Sequence, residues 1–486
     1  MKLRLFYIAL ILIIPFAGKA QSFDQMVETL NQQSLPLINL EFNDEVVSQY
    51  FVPGHITIAQ FGCEQVVHNC MLRYRGQTAL YLPKKAFAVK LVDEYGEKLD
   101  DNLLGLRNDN SWILDAMGID KLRMRNRVVF DIWNEFSHTM WDTNFDRRNG
   151  TVGTMVEVFL NGEYNGIYCL SDKINRQLLN LRKAKVKDDG TVEVKGLLYK
   201  GSRRGTSNNL DNYDDNPVDT TDWNTFELQY PEDYPSILTW QPLMNLIDFN
   251  STTSDEYFKE HYQEWYYVDN LVDYWILILA FGIHDTPYKN TFLSTPDINF
   301  EHRFMITPWD LDASLGNYYD GTHFSSAFGI DHMDIYAPYS RLISQDIDGF
   351  KDKIARRWLE LIEGPLAPAN IESRLRATAQ QLVESGAWDR EYNRWAGSWV
   401  AVKANINSEL SYSINWYLRS INTLTPLIEE WLTNDDVITS ATITAIYDYI
   451  LGVETTFNEQ LDFNHDGEIT SSDATLAYNI LLGINN

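Results

Sequence analysis

Cysteine is scarce in this chain: three residues in 486, with no Cys-x-x-Cys spacing and no histidine cluster beside them. That argues against a structural zinc site, which needs four N or S ligands. Basic residues are outnumbered, 40 Lys and Arg against 68 Asp and Glu, for a net charge of −28. Such a balance argues against nucleic-acid binding, because displacing counterions from a phosphate backbone takes Lys/Arg patches. It is compatible with basic protein substrates or divalent cations as partners. Beyond the N-terminus the main apolar run, Trp275 to Ile283, is too short to cross a bilayer, so no membrane span is expected. The N-terminal part has no G-x-G-x-x-G loop, so a phosphate-binding role there must fall to other residues.

What is present describes a folded, exported protein. Hydrophobic residues make up 44% and aromatics 13%, enough to bury a large core. Residues 1–20 combine Lys2 and Arg4, an apolar stretch and a small-residue exit at Gly18 and Ala20, the pattern of a signal peptide. A secreted location, extracellular or periplasmic, follows as an expectation. Cys63 and Cys70 bracket a polar loop and are expected to pair in that setting, whereas Cys169 reads as a buried free thiol.

The chemistry is concentrated in residues 264–316. A long apolar helix pattern runs into His284 and Asp285, and Asn290 follows at the fifth position (290 − 285 = 5). Two strand-like runs, NTFLS and FMITPW, flank a polar turn, and the second leads to Asp310 and Asp312. Protein kinases place a catalytic Asp, a metal-binding Asn, a hairpin and a second metal-binding Asp in this order. Phosphoryl transfer needs one carboxylate near the attacking hydroxyl and oxygen ligands holding Mg²⁺ (or Mn²⁺) against the phosphates.

Four ordered blocks carry a wider resemblance: RYRGQTALYLPKKAFAVKL (73–91), WILDAMGIDKLRMRNRVVFDIWNEF (112–136), VEVFLNGEYNGIYCLSDKI (156–174) and TPWDLDASLG (307–316). Together they resemble the CotH kinase-like family. The resemblance implies an atypical kinase that transfers phosphate from ATP to protein hydroxyls. It implies Asp285 as catalytic base, Asn290 as metal ligand and Asp310 as the second metal ligand, with Asp312 the alternative. Arg75, Lys85 and Lys90 are the implied phosphate contacts, Lys90 most resembling the kinase strand lysine. The carboxylate that would pair with that lysine is either Glu135 or Glu157. Arg125 and Asn126 match the family's R-N pair.

The expected organisation is α+β: a bilobal kinase-like domain over 35–425 and a small helical module over 430–486. One helix is expected over about 121–139 in a sheet-rich first lobe, and mainly helices over 235–424. The polar stretch 202–222 reads as an exposed insertion, its Asp211, Asp214 and Asp215 as solvated. In the C-terminal module Asp462, Asn464, Asp466, Thr470 and Asp473 stand at positions 1, 3, 5, 9 and 12 of a calcium loop. Gly467 stands at the turning position and Glu468 gives its backbone carbonyl. Asp at the last position resembles the dockerin variant of the EF-hand, which implies one bound Ca²⁺ and a cohesin-like partner. An offset of 31 (469 − 438 = 31) aligns a second helix half whose loop has lost its ligands. The functional expectation is a secreted Ser/Thr kinase tethered by this tail. The alternative is a non-catalytic adhesion or assembly protein of an extracellular complex.

Overall fold

Strand-forming runs with alternate residues buried make up the first half of the chain. In the computed structural model, which describes residues 21–143, 147–286, 289–433, 440–458, 461–464 and 466–481, a short capped helix α1 (Phe23–Glu28) precedes them. The expected signal peptide, 1–20, lies outside the described residues. Strands β1 (Leu37–Glu41), β2 (Val52–Ala59), β3 (Val66–Arg75), β4 (Ala86–Val92), β5 (Ser111–Asp115), β6 (Gly153–Leu160) and β7 (Glu163–Asp172) close a barrel. Its order is β1-β2-β3-β4-β5-β7-β6, sealed by parallel pairing of β1 with β6. Leu72, Phe87, Val89, Trp112, Leu114 and Leu170 are among the side chains that fill it. Because side chains alternate along a strand, Arg73, Arg75, Ala86, Ala88, Lys90, Ser111, Ile113 and Asp115 face outward from β3–β5 onto a cleft.

Helix α2 (Arg125–Phe136) begins later than the sequence pattern suggests. Its N-terminus is capped from a preceding turn, where the Asp120 carboxylate accepts the amides of Leu122, Met124 and Arg125. After a two-stranded ribbon, β8 (Lys185–Val186) and β9 (Val192–Glu193), a second sheet forms. It comprises β10 (Leu197–Gly201), β11 (Asp222–Trp223), β12 (Phe226–Tyr230), β13 (Thr291–Thr295) and β14 (Met305–Pro308), in the order β11-β12-β10-β13-β14.

Helices α3 (Ile237–Thr252), α4 (Asp255–Trp265), α5 (Val268–Phe281), α6 (Ala337–Ser344), α7 (Phe350–Glu363), α8 (Pro368–Glu384), α9 (Ala387–Trp395) and α10 (Asn407–Glu429) supply the helical half. Residues 270–281 of α5 are buried on every side, as expected of a helix apolar all round. The pair α11 (Ser440–Ile450) and α12 (Ser471–Leu481) has its own small core of Ile446, Ile469, Ala474 and Ala477. Among the described residues no helix is long and apolar enough to cross a membrane.

Two expectations are corrected here. Cys63 and Cys70 are both free thiols. Cys70 lies inside β3 with its side chain in the barrel, while Cys63 is exposed in the turn before β3, too far along an extended strand to bridge. The stretch 202–222 is not a solvated insertion along its length. Ser202, Ser207, Asn208 and Leu210 are buried, Ser202 donates its amide to the Thr225 carbonyl, and the segment returns into the sheet through β11.

Candidate active site

The cleft lies between the outer face of β3–β5 and one face of the second sheet, and encloses about 810 Å³. Arg75 pairs with Ala86 and Ala88 with Ile113 across the barrel strands, so small side chains open a slot beside a cationic rim. Opposite them Lys200 is in register with Glu227 on β12 and with Phe292 on β13. The slot is thereby bounded by Ala88 and Ile113 above and by Phe292 and Lys200 below.

Helix α5 delivers the loop that carries Asp285. It stops at Gly282, whose left-handed φ of 59° turns the chain. The Ile283 amide returns to the Ile278 carbonyl, and the His284 amide donates to Ala313 on the loop after β14. His284 packs edge-on against Phe324, Tyr318 and Phe328, and burial pushes it down to about 4, so it is a neutral packing residue. Asp285 then enters the cleft with Arg204 3.0 Å from Oδ1 and Lys289 2.8 Å from Oδ2.

Asn290 and Asp310 both have φ of 59°, a region that costs energy outside glycine and is held here by the surroundings. The Asn290 amide donates to the Gly201 carbonyl at 2.8 Å, while its side-chain Nδ2 is buried without a hydrogen-bond partner among the described residues. Trp309 is wedged against Phe130 and Phe292, with the Arg75 guanidinium 5.4 Å above its ring.

The floor and roof are tied by Asn126. Its Nδ2 donates to Asp115 Oδ2 at 2.9 Å, and its Oδ1 accepts from the Leu311 amide at 3.0 Å. Asp115, at the end of β5, therefore belongs to the same constellation as Asp310. Burial, then Asp115 and Asp285, push the Asp310 carboxyl up, against Arg75 and Lys289. Burial, then Asp310 and Asp115, hold Asp312 well above the ordinary carboxylate range. Among the described residues no three His, Cys, Asp or Glu side chains gather as a metal cluster. A Mg²⁺ site asks less of the protein, one or two carboxylates completed by phosphate oxygens and water, and Asn290 with Asp310 supply that donor chemistry.

A family model described as CotH kinase protein matches residues 72–421, well over half of the chain. The chain belongs to the CotH kinase family. No curated protein matches it. Of the four sequence blocks read as this family's, those over 73–91, 112–136 and 307–316 meet at the cleft through Arg75, Asp115, Asn126 and Asp310, while that over 156–174 forms the barrel wall and reaches the cleft at its end through Lys173.

Not all of the expected CotH kinase site residues meet there. Arg75, Lys90, Asp285, Asn290, Asp310 and Asp312 line the cleft. Lys85 does not: it donates to the Leu80 carbonyl, because strand alternation turns it away from the face that carries Ala86, Ala88 and Lys90. Lys90 lies at the exposed lip, its Nζ 4.7 Å from the Phe51 ring. Neither carboxylate considered for it is its partner. Glu135 pairs with Arg374 and Glu157 with Arg390. Arg125 is structural, bonded to Asp120, Glu409 and Ser413.

Sequence reasoning missed Asp115, Lys173, Lys200, Lys289 and Arg204, all of which line the cleft. Lys173 and Lys200 are half-buried lysines. Each is pushed down first by burial and also by neighbouring cations, Lys173 by Lys90, Arg75 and Arg73 against the pull of Glu232, and Lys200 by Arg75 and Lys173 against the pull of Glu227 and Asp310. A legible signal existed for Lys289, which adjoins Asn290, and for Asp115, which ends the alternating run SWILD. Lys173, Lys200 and Arg204 reach the cleft only through the pairing of distant strands and their end loops.

Proposed function

We infer that this CotH kinase chain is a secreted, ATP- and Mg²⁺- or Mn²⁺-dependent protein kinase acting on Ser or Thr hydroxyls. One observation carries the reading: Asp285, Asn290 and Asp310 share a cleft with Arg75, Lys173 and Lys200, cations crowded together in a protein of net charge −28. Like charges held this close in a partly dry site favour a polyanion, which supports a triphosphate as the ligand. Asp285 is the base that accepts the proton of the acceptor hydroxyl. Lys289 orients that carboxylate from Oδ2. Asn290 and Asp310 would hold the metal, Asp312 being the alternative second carboxylate. When bound, the metal offsets charge on the transferring phosphoryl group. Arg75, braced on Trp309, binds phosphate from the roof.

The tail supports a calcium-dependent tether of dockerin type. The amides of Asp466 and Gly467 converge on the buried Asp462 carboxylate, and those of Asn464 and Thr470 on the buried Asp473. Burial opposes ionisation of Asp473, but these hydrogen bonds hold it below the ordinary range, as a charged ligand requires. Asp462, Asn464, Asp466, Thr470, Asp473 and the Glu468 carbonyl would hold one Ca²⁺, and a cohesin-like protein would be the partner.

The test is incubation of the mature protein with γ-labelled ATP and Mg²⁺ or Mn²⁺ beside Asp285→Ala and Asp310→Ala. Labelling of the protein or an added substrate should fall by at least about a hundredfold in each variant. No label, with no nucleotide-dependent rise in melting temperature, would instead make the chain a non-catalytic binding protein.

A further inference from the structure

Each oxygen of Asp285 already accepts a charged donor, and the two donors differ in kind. Lys289 belongs to the same loop and is 20% exposed, whereas Arg204 is 56% exposed and comes from the turn after β10. The backbone of that turn is pinned. The Ser202 amide donates to the Thr225 carbonyl at 2.9 Å, Gln77 Nε2 donates to the Ser202 carbonyl at 3.2 Å, and Ser207 bonds Thr225 through their hydroxyls. The Arg204 guanidinium, 5.9 Å from the centre of the Tyr319 ring, therefore projects from a fixed base into the cleft mouth. Arg204 is thus the more open member of the pair at the mouth, and Asp285, 12% exposed, lies behind it.

The Asp285 end of this pair is buried but its Arg204 end is open to solvent, so the guanidinium is the partner free to exchange, and a guanidinium fork fits a carboxylate with two parallel hydrogen bonds. An acceptor bearing Asp or Glu beside its hydroxyl would draw Arg204 from Asp285 and leave Oδ1 open to the hydroxyl proton. A Lys- or Arg-flanked acceptor would meet like charge from Arg204 and Lys289 and leave Asp285 capped. We propose that Arg204 selects the acceptor, and that the preferred substrate is a Ser or Thr flanked by carboxylates in an acidic peptide. This rests on the kinase reading of the cleft. It also reverses the expectation of basic substrates drawn from net charge, because charges more than about 8 Å away are screened at physiological salt and the mouth is read locally.

The experiment uses the full chain, ATP and Mg²⁺, with three peptides that differ only in the residues flanking one Ser: Glu, Gln or Lys. The Glu peptide should exceed the Gln peptide in kcat/KM by about tenfold, and the Lys peptide should be poorest. Arg204→Gln should bring the Glu and Gln peptides within about twofold of each other, and Arg204→Lys should keep the order with a narrower gap. Equal use of the three peptides by the wild type, a preference for Lys, or an intact Glu preference in Arg204→Gln would overturn the proposal alone. If the variants do not fold, the wild-type order decides. No label on any peptide together with no ATP hydrolysis would overturn the kinase reading, and this proposal with it.

Discussion

Asp312 shows at the scale of one residue how the cleft trades stability for chemistry. Its carboxyl is pushed well above its ordinary value of 3.8 by burial, and then by Asp310, Asp115, Asp120 and Asp285. The folded protein therefore binds a proton that the unfolded chain releases. The associated stability is fully present below 3.8 and is lost as pH rises through the raised folded value. In metal-free protein at neutral pH, Asp312→Asn should raise stability by about 1–2 kcal/mol and remove the loss of stability that Asp312 causes as pH rises above 3.8. The stabilisation given by added Mn²⁺ should shrink in the same variant. A variant that melts lower at neutral pH with an unchanged profile would count against this. The half of the constellation made of Asp285, Asn290 and Asp310 was readable because these residues are close in sequence and spaced by one loop and one hairpin. Lys173 and Lys200 have no such local spacing to betray them.

At the scale of elements, helix α9 latches the barrel to the helical half. Glu391 lies wholly buried between Lys84 and Arg123, at 2.8 and 2.7 Å, and accepts the Ile167 amide on β7. Trp395 Nε1 donates to the Asn165 carbonyl one turn further on. Burial pushes Lys84 down to about 7 against the pull of Glu391. Removing the carboxylate leaves Arg123 charged and dry, so Glu391→Gln should cost about 3–5 kcal/mol in urea unfolding. Arg374→Ala breaks a half-exposed pair with Glu135 and should cost no more than about 1 kcal/mol. Equal losses in the two variants would show that α9 is not a latch. Helix α5 and the β13–β14 hairpin were legible from apolar periodicity and short runs. The latch was not, because its partners are 307 residues apart and carry no pattern that links them.

At the scale of the molecule, α11 and α12 form a unit with a separate core, joined to the remainder after Trp431 packs on Trp275 and Thr433 bonds Asp352. Calcium at a hundred times its dissociation constant should stabilise that unit by about 2.7 kcal/mol. In calorimetry of the full chain, EGTA should lower one transition and leave the larger one in place, and Asp473→Ala should abolish the calcium response. A calcium shift of the main transition would mean that the tail is a cap folded onto the kinase-like body.

Periodicity and spacing are properties of neighbours, and they determined the mixed α and β class, the buried α5, the hairpin and the order of Asp285, Asn290 and Asp310. The tertiary structure alone decided which cations face those carboxylates. Closing β3–β5 into a barrel turned Arg75 and Asp115 inward to the cleft and Lys85 away from it, and pairing β10 with β12 and β13 set Lys200 beneath them. A side chain's facing is set by the register and closure of sheets, which join residues far apart in the chain, and no local pattern records that choice.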